Sequence, residues 1–101
     1  SVKGVMNKKD KNIKVENAVV GEFYKIEVDK DTTIWEHQWI AKYDGLIVEY
    51  IGQIDNKSFY PYQFRLIMGI VESNYGHKEG NKKPGDILRF TTREAFTLKK
   101  L

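Results

Sequence analysis

The stretch "TIWEHQWIAKYDGLIVEYIGQI", residues 33–54, decides how this chain is read. Asp44-Gly45 lies between runs rich in β-branched and aromatic residues. In that setting Asp-Gly selects a two-residue type I′ turn, whose twist suits an antiparallel hairpin. With those two residues as the loop, Tyr43 pairs with Leu46, Ala41 with Val48, Trp39 with Tyr50, His37 with Gly52 and Trp35 with Ile54. These side chains share the core face, and Glu36, Gln38 and Lys42 oppose Glu49 and Gln53 on the polar one. Trp39 beside Tyr50 adds about 0.5–1 kcal/mol beyond simple burial.

Upstream, "GEFYKIEVD" alternates. Tyr24, Ile26 and Val28 point one way, and Phe23, Lys25, Glu27 and Asp29 the other, so a half-buried strand starts after Gly21. Downstream, "FRLIMGIVES" is nearly continuously apolar and predicts a central strand buried on both sides, with Gly69 marking a bulge or a close backbone approach. "SNYGHKEGNKKPG" predicts a long exposed loop, and Pro84 and Gly85 lead into a strand at "DILRF". In "TTREAFTLKKL", Thr91 and Glu94 have the spacing of a capping box, while Ala95, Phe96, Leu98 and Leu101 can share a helical stripe. A short C-terminal helix is expected there, with Glu94 at its start and Lys99 and Lys100 at its end suiting the helix dipole. The polar, Lys-rich start predicts a short edge strand near residues 2–6 in a partly mobile segment, 1–14. Residues 1–101 therefore form one mainly β domain, a small antiparallel SH3-like or OB-like barrel with a short C-terminal helix. The alternative is a two-layer sheet covered by that helix.

The chain has 101 residues, 41% hydrophobic and 31% charged, enough for one core and a solvated exterior. It has no cysteine, which excludes disulfides and thiolate zinc sites and fits a reducing compartment, the cytoplasm. No apolar run approaches the roughly 18 residues of a membrane span, so no membrane partner is expected; a removed leader stays open. The net charge of +3 permits nucleic acid without arguing for it. Basic residues cluster at Lys8, Lys9, Lys11 and Lys14, and again at Lys78, Lys82 and Lys83, both in turn-forming sequence.

Little catalytic chemistry is legible. His37 falls on the aromatic face and reads as a structural imidazole, and His77 sits in a loop beside Lys78 and Glu79 as a solvated one; neither their spacing nor a thiolate supports a metal. Glu36 and Glu49 face each other across the hairpin as an exposed pair relieved by Lys42 rather than a catalytic dyad. "GHKEGNKK" fails as a phosphate loop, because Gly76 and Gly80 are too close and no Gly-Lys-Ser/Thr follows. No enzyme activity, catalytic residue, metal or cofactor is expected.

"NKSFYPYQFRL", residues 56–66, remains. Pro61 cannot donate a ladder hydrogen bond, so Phe59, Tyr60 and Tyr62 turn toward a rim, and Phe64 belongs to the next strand's core. Either Phe59 and one tyrosine fold back to plug the barrel end, or the rings form a recognition surface with Arg65, Lys57 and the basic loop. Candidate partner-binding residues are Phe59, Tyr60, Tyr62, Arg65, Lys82 and Lys83. The modest charge favours a protein partner over nucleic acid.

"GDILRFTTREAFTLKKL", together with "VGEFYKIEV", resembles small β-barrel proteins encoded by bacteriophages and prophages, over about a quarter of the chain. Thr91, Thr92 and Glu94 fit the pattern; Phe96 and Thr97 depart from it. The resemblance implies an accessory protein that binds and blocks a host protein, such as a defence enzyme, with no chemistry of its own. No site residue carries over, because such families share a scaffold rather than a site. The expected function is a stoichiometric binding protein. The alternatives are a single-stranded nucleic-acid binder and a binder of a small anionic ligand such as a nucleotide, held by Lys82 and Lys83; an edge strand could also pair two copies.

Overall fold

A computed structural model describes residues 12–29, 40–54, 58–72 and 81–101. Trp35, Glu36, His37, Gln38, Trp39, Lys57, His77, Lys78 and the expected strand at residues 2–6 lie outside them. The chain builds one antiparallel sheet from β1 (Phe23–Val28), β2 (Ile47–Gln53), β3 (Tyr62–Met68), β4 (Ile87–Phe90) and β5 (Phe96–Lys100), in the order β4-β3-β2-β1-β5. A 3₁₀ turn precedes β1 at Val15–Asn17 and another precedes β2 at Ala41–Tyr43.

The alternation read in β1 is real: Tyr24 and Ile26 are buried, and Phe23 is exposed. The hairpin reading is not. Residues 41–43 are helical, and β2 pairs instead with β1 (Tyr24 opposite Val48) and with β3 (Tyr50 opposite Phe64). A type I′ turn needs positive φ at both central residues, but Asp44 has φ −62° and ψ 131° before Gly45 at φ 83°, the dihedrals of a type II turn. The Asp44 side chain stabilises that conformation: its Oδ1 accepts the Val28 amide at 2.9 Å, while the Gly45 amide donates to the Ile26 carbonyl at 2.8 Å. Asp44-Gly45 thus docks on β1 and delivers the chain into β2.

Expected burial of β3 on both sides is also corrected. Tyr62, Phe64 and Leu66 are buried and Arg65 is exposed, because one face of the sheet packs inward and the other meets solvent. The close approach at Gly69 holds: φ is 106°, and a Cβ there would lie 2.5 Å from Leu46 Cδ2. Two irregularities break the β2–β3 register, one between Tyr50 and Gly52 of β2, where Gly52 has φ 119°, and one on β3 just before Gly69, where Leu66 and Met68 face the consecutive Val48 and Ile47.

The C-terminal helix is replaced by β5. Phe96 and Leu98 are both fully buried, which needs a period of two rather than a helical stripe. The capping-box contact survives without its helix: Glu94 Oε2 accepts the Thr91 amide at 3.0 Å and closes the turn between β4 and β5. β5 pairs with β1 on one side, and on the other with Ile13 through a two-hydrogen-bond bridge to Leu98.

β4 and β5 end the sheet and do not pair with each other. Their rings nevertheless meet, since Phe90 and Phe96 stack edge to face with centroids 4.9 Å apart, and Tyr43 sits edge-on to Phe90 at 5.1 Å. The sheet is therefore curled until side chains, not hydrogen bonds, join its edges. Phe64, Phe90 and Phe96 are almost wholly buried, and each ring contributes about 1.5–3 kcal/mol through burial.

Candidate partner-binding surface

The β2–β3 connection shapes the first surface. The Pro61 carbonyl accepts the Ile54 amide at 2.8 Å, and Ser58 Oγ accepts the Tyr60 amide at 3.1 Å, a hydroxyl-closed turn. That turn throws Phe59 outward, 86% exposed, with Tyr60 beside it at 54%. Phe59 therefore does not plug the interior.

Tyr62 does fold inward. It is 9% exposed, its ring lies 6.5 Å from Tyr50, and it belongs to the core rather than to a contact surface. Burial, reinforced by Tyr62, pushes the Tyr50 phenol above its ordinary pKa. Arg65 lies on the outer sheet face, where Nη1 reaches Glu49 Oε1 at 3.1 Å; Glu49 thus has a cation opposite it in β3.

Lys82 and Lys83 stand elsewhere. Val71 and Lys82 exchange backbone hydrogen bonds of 2.9 Å beyond the far end of β3, and Lys83 follows. The seven-residue β3, about 20 Å long, separates them from Phe59 and Tyr60. An open groove of about 570 Å³ runs there among Ile70, Val71, Glu72, Asn81, Lys82, Lys83 and Asp86. The expected single rim is thus two surfaces at opposite ends of β3.

Exposed apolar residues that the sequence did not single out are Val19, Val20, Met68 and Ile70. Met68 and Ile70 flank Gly69; the inward alternation of β3 breaks at the irregularity between Leu66 and Met68, and a continuous apolar run conceals that break. Among the described residues no group of three potential ligands could hold a metal, no charged side chain is buried, and no helix is long and apolar enough to cross a membrane. No protein-family model matches the chain, and neither a curated protein nor a solved structure does.

Proposed function

We propose that this chain is a non-enzymatic binding protein that acts stoichiometrically on a protein partner through Phe59 and Tyr60, in the manner of a phage-type accessory protein or inhibitor of a host protein. The exposure of two adjacent rings in the Ser58-closed turn carries the reading. Exposed large rings lose apolar hydration when covered and little rotamer freedom, and they anchor interfaces for that reason. The scaffold reading is an SH3-like barrel. Strands β1 to β4 form a simple meander with β5 returning beside β1, which favours it over the Greek-key order of an OB-like barrel.

Single-stranded nucleic acid is less well supported. Stacking platforms work with cations beside the rings; among the described residues Arg65 is engaged by Glu49 and the lysine pair lies about 20 Å away, while Arg89, opposite Gln63, is an exposed cation at the Tyr62 end of β3. A small anionic ligand is disfavoured by Glu72 and Asp86, which share the groove with Lys82 and Lys83.

The test is affinity capture from an extract of the source cells with the wild type and with the Phe59→Ser/Tyr60→Ser variant. One dominant protein, recovered in near-equal amount by the wild type and lost by the variant, supports the reading. Capture by the variant as well, or tight oligonucleotide binding at about 50 mM salt, overturns it.

A further inference from the structure

The outer edge of β4 combines a row of backbone groups, a groove and a charge pattern. Its phase follows from the turn before it. The Asp86 amide donates to the Lys83 carbonyl at 3.0 Å, the Gly85 amide to the Leu66 carbonyl at 2.7 Å, and the Leu66 amide to the Asp86 carbonyl at 2.8 Å. With Gly85 at φ 100°, this is a glycine bulge that sets Asp86 against Leu66. By the antiparallel alternation, Leu88 and Phe90 then exchange hydrogen bonds with Phe64 and Tyr62, and the N–H and C=O groups of Ile87 and Arg89 face away from β3.

An open groove of about 410 Å³ runs along that flank, lined by Tyr43, Lys82, Asp86, Ile87, Leu88 and Arg89. Lys82 and Arg89 outnumber Asp86 in it and leave it with a net positive charge, and the Lys83 amide donates to Asp86 Oδ2 at 3.0 Å. A second copy fits poorly: a twofold axis at Leu88 sets Arg89 opposite Ile87 of the copy and makes the two Arg89 diagonal neighbours on one face, and like charges on an edge oppose self-pairing. We propose that the β4 edge accepts an extended acidic segment of a partner protein as an added strand. Its backbone pairs with Ile87 and Arg89, its carboxylates meet Lys82 and Arg89, and its side chains pack on Tyr43. This site does not depend on Phe59 and Tyr60.

The test is an amide chemical-shift titration of the full chain with a short synthetic peptide of alternating valine and glutamate, and with its valine-lysine counterpart. Shifts and hydrogen-exchange protection are expected at Ile87 and Arg89 with the glutamate peptide alone. Arg89→Glu should weaken that binding at least about tenfold. Ile87→Pro removes an outward-facing donor together with the half-buried Ile87 side chain, and should abolish binding while the hydrogen bonds of Leu88 and Phe90 to β3 remain. Should Ile87→Pro fail to fold, Arg89→Glu, an exposed substitution, still decides. Unmoved Ile87 and Arg89 amides, equal binding of both peptides, or self-association through this edge would each overturn the proposal.

Discussion

At Gly69 the backbone sits at φ 106°, and an added Cβ would meet Leu46 Cδ2 at 2.5 Å. Both effects act together, so Gly69→Ala should destabilise the fold by about 2–3 kcal/mol, read from a urea midpoint shift at constant slope. A shift under about 0.5 kcal/mol would contradict the close approach. Glu94 offers a test with a sign. Burial raises its carboxyl above the ordinary 4.5, outweighing the Thr91 hydrogen bond, which lowers it. The folded state thus holds the proton more tightly than the unfolded one, so this group's contribution is best below pH 4.5 and is lost as pH rises through the folded pKa. In Glu94→Gln the amide oxygen still accepts from Thr91 and the partly desolvated charge is gone. Its melting temperature should exceed the wild type's at pH 7 and converge on it in acid. A pH-independent difference would refute this.

At the scale of elements, Asp44 joins the turn before β2 to β1. Asp44→Ala removes the acceptor for the Val28 amide and should cost about 1 kcal/mol, with faster amide exchange at Val28. Unchanged exchange there would show the contact to be dispensable. The same residue explains where sequence reading succeeded and failed. Alternation at Tyr24, Ile26 and Val28 is local and was legible. Asp44-Gly45 was legible as a turn but not as its type, because the partner that fixes Asp44 comes from a strand sixteen residues away in sequence. Thr91 and Glu94 likewise form the expected contact, yet burial of Phe96 and Leu98 overrides helix propensity in the residues that follow. Within the proline-bent segment, Phe59, Tyr60 and Tyr62 have similar composition and opposite fates. Only the β3 register, with Tyr62 opposite Phe90, sends Tyr62 inward.

Across the whole molecule, a curled sheet brings the edge strands together through Phe90 and Phe96 and leaves exposed the two surfaces proposed for contact, Phe59 with Tyr60 and the flank of β4. Neither proposed contact needs catalytic chemistry. The central claim is that the exposed rings of the Ser58-closed turn make the contact. Its most direct measurement is capture from source-cell extract by the wild type and by the Phe59→Ser/Tyr60→Ser variant, with melting temperatures matched to exclude unfolding. The expected result is one stoichiometric partner held by the wild type and absent from the variant; the same partner held equally by both proteins would contradict it.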